Sequence, residues 1–289
     1  MDNSALVANE GSFRSRFDYA RSRLAGAQKP TASTPAYLRF VNRKAGGLLA
    51  AVGYALHRTP TQLTVLSSAA SFSAIAVLIL RDSTALTGVV VSLLLLLGYA
   101  LDAADGQLAR VGGGGSKAGE WLDHVADIAK ISSLHSAVAI AMLRYFELDS
   151  LLYLAVPVIF LVANVTQFFG MMLRDKLTAG QPAQPGTEGS SSLLVAWLLQ
   201  PLDHGSLGLA FLVLGWHTLF LWCYGFLALC TALFAVRSLT KTYRRLLRAE
   251  SGAAASAGAA SAGAASAGAA SAGAASAAGA AFSPAPRLP

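Results

Sequence analysis

Charge is what this sequence has least of. Of its 289 residues only 13% are Asp, Glu, Lys or Arg, about half the share that soluble domains carry. With 54% hydrophobic residues and a mean hydropathy of +0.53, that shortage excludes a soluble enzyme and a disordered protein. Cysteine is almost as scarce. Cys223 and Cys230 are the only two, both within one apolar run, which excludes a disulfide scaffold. Seven residues apart on one helix, they share a face for packing but cannot be bridged. The first 34 residues contain no apolar core ahead of a cleavage site, so no secretory signal peptide is expected. What the sequence does have is a series of long uncharged runs, the mark of a polytopic membrane protein.

The net charge is +7, from 22 Lys and Arg against 15 Asp and Glu. The basic residues flank apolar segments, so an anionic membrane surface is the expected partner and nucleic acid is not. Residues 1–34 read as a polar, basic extension carrying Arg14, Arg16, Arg21 and Arg23. From Tyr37 to Leu56, apolar residues mix with Arg39, Arg43 and Lys44, which predicts a helix lying in the membrane interface. Residues 35–248 then form a membrane domain. The expected crossings are Leu63–Leu80, Thr84–Leu101, Trp121–Leu143 and Ser150–Leu173, then an interfacial helix over Ser191–Leu202 and two more crossings that turn at Gly215–His217. The predicted fold is therefore all-α, with six transmembrane helices.

Orientation follows from the basic residues. With the amino terminus in the cytoplasm, that side receives nine Lys and Arg before Pro60, then Arg110, Lys117, Arg174, Lys176 and the cluster from Arg237 to Arg248. The other side receives Arg81 and Arg144. Both termini are expected to be cytoplasmic, in a multi-pass protein of the cell membrane. Residues 249–289 form a low-complexity tail in which SAGAA repeats four times from Ser256. With almost no side chains to build a core, it is expected to be disordered, with partial helix at the membrane as the alternative for its Ala-rich repeats.

Carboxylates inside membrane segments are costly and tend to be functional. Here they gather in LDAADGQLARVGGGGSKAGEWLDHVADIAK. Asp102 and Asp105 are i and i+3 on one helix; Asp123 and Asp127 are i and i+4 on the next. Each pair shares a face, and a short Gly-rich turn makes the two helices antiparallel neighbours. Four such groups need a counter-charge. Oxygen ligands point to magnesium, manganese or calcium in preference to zinc. Gly98, Gly106 and Ala109 leave room for a ligand or close packing on the Asp102 face. Arg110, one turn further on, suits a two-pronged grip on phosphate. The run Gly112–Gly115 is not a phosphate loop, because Lys117 follows Ser116 and breaks the GK[ST] order.

The pattern D-x2-D-G-x2-A-R-x8-G-x3-D-x3-D is matched by Asp102, Asp105, Gly106, Ala109, Arg110, Gly119, Asp123 and Asp127. On those residues the chain resembles the CDP-alcohol phosphatidyltransferases, integral membrane enzymes of phospholipid synthesis. The resemblance covers roughly residues 37–248. It implies six helices around a cytoplasm-facing polar cavity, usually in a homodimer, with membrane lipids as neighbours. It further implies that Asp102, Asp105, Asp123 and Asp127 hold metal, Mg2+ or alternatively Mn2+. Asp127 would serve as general base beside Asp123 in the catalytic pair. Gly106, Ala109, Arg110 and Gly119 would line the nucleotide site. Ser116 stands where inositol-phosphate members place a hydroxyl near the nucleotide, and Thr59, Pro60, Thr61 and Gln62 match a short loop that contacts the cytidine.

The implied reaction transfers a phosphatidyl group from CDP-diacylglycerol to a polar alcohol of the inositol phosphate or glycerol phosphate type, releasing CMP. The reverse assignment stays open. Gly119–His124 reads GEWLDH, similar to the choline and ethanolamine phosphotransferases, which pass a head group from a CDP-alcohol to diacylglycerol. Inositol-phosphate members tend to carry Arg directly after the last Asp, whereas Ile128 stands here and Lys130 is the nearest cation. The small size and Gly/Ala-rich tail point back towards the first form. Glu120, His124 and Lys130 are candidates for support or acceptor contacts; for Lys130, pairing with an aspartate is the simpler expectation. His135, His204, His217 and Asp203 read as packing or interface residues. A divalent-cation transporter built on the same carboxylates is the remaining alternative, but it would need polar residues along a through-path, and the outer halves of these segments are almost purely apolar.

Overall fold

A computed structural model of the chain describes residues 12–26, 34–178 and 192–280. Among the described residues every element is helical. In chain order they are α1 (Phe13–Gly26), α2 (Arg43–Ala55), α3 (Pro60–Leu80), α4 (Ala85–Val111), α5 (Lys117–Tyr145), α6 (Ala155–Leu177), α7 (Leu193–Leu198), α8 (His204–Ala210) and α9 (His217–Ala280). A π-helical turn, Leu38–Asn42, leads into α2, and 3-10 turns lie at Leu151–Leu154, Gln200–Leu202 and Phe211–Val213.

The long helices start on caps written into the local sequence. Thr59 and Gln62 form a reciprocal capping box at α3, with Pro60 at the first helical position, where its missing N–H costs nothing. Thr84 accepts from Thr87 N at α4, and Ser116 accepts from Gly119 N at α5.

Five helices among the described residues are long and apolar enough to cross a membrane: Pro60–Leu80, Ala85–Val111, Lys117–Tyr145, Leu151–Leu177 and His217–Ser251. The protein is an all-α membrane protein. The sequence pattern led to an expectation of six crossings. In place of the fifth of these stands a shorter apolar stretch, His204–Val213. At 1.5 Å per residue it covers about 15 Å, half the hydrocarbon core. Asp203 caps its start, and the 3-10 turn Phe211–Val213 tightens its end before the expected turn at Gly215. The backbone breaks at Leu202 and before His217, as the sequence pattern led one to expect; the difference lies in the length of the helix between them. The segment expected to form an interfacial helix, Ser191–Leu202, holds the short α7 and the Pro201-containing turn that follows it; Ser191 itself lies outside the described residues.

A second difference concerns the tail. Instead of losing order near Glu250, α9 carries on through the SAGAA repeats to Ala280, because alanine is the strongest helix former and isolated glycines weaken a helix without ending it. Residues 281–289, like 1–11, lie outside the described residues.

α3 packs along both α4 and α5, α2 along α4, and α6 along α5. One core cluster joins Leu78, Val91, Val138, Met142, Phe211, Phe220 and Tyr224. Another joins Leu24 of α1 to Ala50, Leu63, Leu101 and Leu108. Close backbone approach between α3 and α4 depends on Gly98. Ser67 Oγ donates to its carbonyl at 2.9 Å, and a Cβ added there would collide with Ser71 Oγ and come within 3.2 Å of Ser67 O. The segment before α2 is tied to the segment before α8. Tyr37 N donates to Gln200 Oε1 at 2.7 Å, Leu38 N to Asp203 Oδ2 at 3.0 Å, and Gly205 N to Asp203 Oδ1 at 2.6 Å. The two cysteines are unbridged.

Candidate active site

The last turns of α4 and the first turns of α5 carry the acidic pattern. Between them the chain reverses at Gly113 and Gly114, with φ of +89° and +126°, where a side chain would be strained. Gly114 N donates to Ala109 O at 2.9 Å, which closes the end of α4. Ser116 then starts α5, so the two helices present their carboxylates to one another.

All four aspartates converge. Single oxygens of Asp102, Asp105 and Asp123 lie within 4.8 Å of one another, and atoms of Asp123, His124 and Asp127 form a second group of the same size. Asp123 belongs to both. Lys130 bridges the two helices, its Nζ 2.6 Å from Asp102 Oδ1 and 2.8 Å from Asp127 Oδ1. It is thus the aspartate partner expected from its position one turn past Asp127. Asp105, 6% exposed, accepts a 2.7 Å hydrogen bond from Thr64 Oγ1 of α3. One ammonium cannot balance four carboxylates at these separations. A hard divalent cation with oxygen ligands fits the donor set, and the single nitrogen, from His124, stands at its edge.

Arg110 sits over the small face of Gly106, with Nη1 3.6 Å from where a Cβ would stand. Its Nε is buried and makes no hydrogen bond among the described residues. The same holds for Nδ1 of His124, whose ring lies edge-on to Phe168 at 6.0 Å. Residues 57–236 match the sequence profile of a family described as CDP-alcohol phosphatidyltransferase.

The chain belongs to the CDP-alcohol phosphatidyltransferase family.

No curated protein matches it. As a CDP-alcohol phosphatidyltransferase it is a membrane transferase of phospholipid synthesis, from a family that depends in general on a divalent metal. The other residues singled out in the sequence fall into two places. Thr59, Pro60 and Ala109 line a cleft with Tyr54, His57, Arg58, Leu108, Gly112 and Gly114. Thr59 and Gln62 are also joined in the capping box of α3. Ser116 Oγ accepts from Gly119 N at 3.0 Å, and a Cβ at Gly119 would stand 3.1 Å from Ser116 Oγ and 3.5 Å from Thr61 Oγ1. The start of α3 therefore abuts the start of α5, and Gly119 keeps that junction thin. Glu120 is exposed in the first turn of α5 and belongs to neither acidic group.

Some polar residues of this transferase escaped the sequence reading. Thr64, Ser67 and Ser71 are all buried on the inner face of α3. Their recurrence at helical spacing inside an apolar run was the available signal. His135 is fully committed: its ring is 2.6 Å from Tyr224 Oη and 2.9 Å from Asn164 Nδ2. Since an amide nitrogen only donates, Nε2 accepts and the proton sits on Nδ1.

Proposed function

We propose that this chain transfers a substituted phosphoryl group from a CDP-linked donor to an alcohol, releasing CMP, with a divalent cation held by Asp102, Asp105, Asp123 and Asp127. The observation that carries the reading is the convergence of those four side chains from two helices into overlapping groups no wider than 4.8 Å. Magnesium is the first choice for an all-carboxylate set that must also accommodate phosphate oxygens, with manganese as its substitute. When bound, the cation supplies charge neutralisation at the diphosphate.

The chain's own groups do the rest. The buried, unsatisfied Nε of Arg110 supports a role as donor to a phosphate oxygen, where charge-assisted bonds are strong. Gly106 and Ala109 keep the α4 surface low enough for a nucleotide to approach. The cleft lined by Thr59, Pro60 and Ala109 is the companion place for the cytidine, and Thr61, Gln62, Ser116 and Gly119, at the starts of α3 and α5, are the further candidates for contact with the nucleotide. Asp127 takes the acceptor's hydroxyl proton when that oxygen comes within hydrogen-bond reach. Lys130 holds Asp102 and Asp127 in place and keeps their charges apart. The basic residues before Pro60 and after Arg237 support a cytoplasmic position for both termini, which with five long crossing helices requires the short His204–Val213 stretch to complete a sixth passage; a homodimer in the cell membrane is the expected assembly.

The test is CMP release by the purified chain carrying Asp105→Asn or Asp123→Asn. Each variant keeps shape but removes a charge, and each is expected to lose about a hundredfold or more of activity while its thermal midpoint stays within a few degrees of the parent's. Turnover at the parent's rate in either variant would refute the assignment.

A further inference from the structure

Beside the aspartates, α3, α4, α5, α6 and the α8 region enclose a cavity that begins at Asp102, Asp127 and Lys130 and runs along α5 to His135. Resting on the transferase reading above, we infer that this cavity receives the acceptor, and that the acceptor is an uncharged alcohol with an apolar body, of the diacylglycerol kind. That reverses the assignment of lipid and head group expected from the sequence.

Two observations carry the inference. The wall below the carboxylates is mostly apolar, with Ile75, Leu95, Ile131, Leu134, Phe168 and Leu207 outnumbering the polar side chains of Ser71, Tyr99, His135 and His204. Such a wall favours hydrocarbon and penalises an unpaired phosphate or sugar hydroxyl. The second observation is electrostatic. Lys130 is the single Lys or Arg among the lining residues, and its ammonium is already held by Asp102 and Asp127 at 2.6 and 2.8 Å. An acceptor phosphate placed there would meet two carboxylates ahead of any free cation. His135 offers no substitute, because both ring nitrogens are engaged by Tyr224 and Asn164. An inositol or glycerol phosphate is thus the wrong occupant, whereas a neutral hydroxyl on a hydrocarbon body meets Asp127 at its polar end and a matching wall below.

The step balances without any further reactant. The acceptor's hydroxyl oxygen bonds to the phosphorus that bears the donor's small head group. The bridging P–O bond to the cytidine-side phosphate breaks, its electron pair leaving with CMP. The hydroxyl proton passes to Asp127 and from there to water.

The experiment uses the full chain in nanodiscs with magnesium. It measures CMP release from CDP-choline or CDP-ethanolamine with diacylglycerol. In parallel it measures release from CDP-diacylglycerol with inositol phosphate, glycerol phosphate, inositol or serine. Release that depends on diacylglycerol is the expected result. Release from CDP-diacylglycerol with any of the polar acceptors overturns the inference and leaves the transferase reading standing. Silence in every pairing removes the transferase reading and this inference with it. Filling the wall with Ile131→Phe is expected to raise the KM for diacylglycerol about tenfold, since a pocket discriminates by roughly that much per added group, with the KM for the CDP-alcohol within twofold of the parent's. A rise confined to the donor's KM would overturn the placement of the acceptor.

Discussion

Thr64 offers the most direct test of how α3 serves the acidic centre. It reaches Asp105 from a neighbouring helix at 2.7 Å, with Thr64 3% and Asp105 6% exposed, so no water stands ready to replace it. Thr64→Val keeps the volume and β-branching and deletes only the donor. A hydrogen bond to a charged group contributes about 1.5–3 kcal/mol, and each 1.4 kcal/mol or so is a factor of ten. If the bond serves to aim the carboxylate at a cation, the magnesium concentration giving half-maximal CMP release should rise about ten- to a hundredfold, the range seen when partners of metal ligands are removed. The rate at saturating magnesium should fall less. Thr64→Ser restores the hydroxyl and should restore the titration. A Thr64→Val enzyme whose magnesium curve overlays the parent's would refute the reasoning, as would a Thr64→Ser enzyme no better than the valine variant.

Other perturbations follow from the packing. Gly98→Ala places a methyl against Ser71 Oγ and within 3.2 Å of Ser67 O. Overpacking of this kind costs about 1–3 kcal/mol, so the thermal midpoint in detergent should drop by about 2–4 °C per kcal/mol. Adding Ser71→Ala should recover part of the loss, and a double variant no more stable than Gly98→Ala would show that the collision is not the cause. Asp203→Ala removes the acceptor for Leu38 N and for Gly205 N at once. It should cost about 1–2 kcal/mol, as lost helix caps do, and speed hydrogen exchange at Leu38; unchanged exchange there would count against the tether.

The acidic centre was legible because its pattern is local. Asp102, Asp105, Asp123 and Asp127 lie on two consecutive helices, so helical periodicity alone puts each pair on one face, and the glycine turn brings the faces together. Helices α3 and α5 start earlier than the expected crossings, at Pro60 and Lys117 in place of Leu63 and Trp121, because Thr59 and Ser116 cap a polar first turn that hydropathy does not register. What the sequence could not convey were contacts made across long separations. Nothing near Thr64 announces that it meets Asp105, and nothing near His135 names Asn164 and Tyr224. The break before α8 falls at Leu202, where the expected interfacial helix ends, and Asp203 caps the new helix there; what hydropathy did not convey is that the next apolar helix, His204–Val213, is too short to count as a long crossing. In the tail two signals compete, since a lack of core-forming side chains says little about the intrinsic helix preference of alanine, and the helix runs on to Ala280.

The tie between Tyr37, Leu38 and the Gln200–Asp203 turn has a consequence for the order in which the protein is made. The two backbone donors leave the ribosome more than 160 residues before their acceptors. At about 5–20 residues per second, that is an interval of many seconds during which α3 to α6 are synthesised and delivered to the bilayer. Throughout it, the amino-terminal segment must satisfy those N–H groups with interfacial water or lipid head groups. Its final seating is therefore a late event, completed when the Asp203 turn emerges. A chain truncated before Gln200 would carry all four aspartates and still lack the clasp that fixes the segment leading into α2.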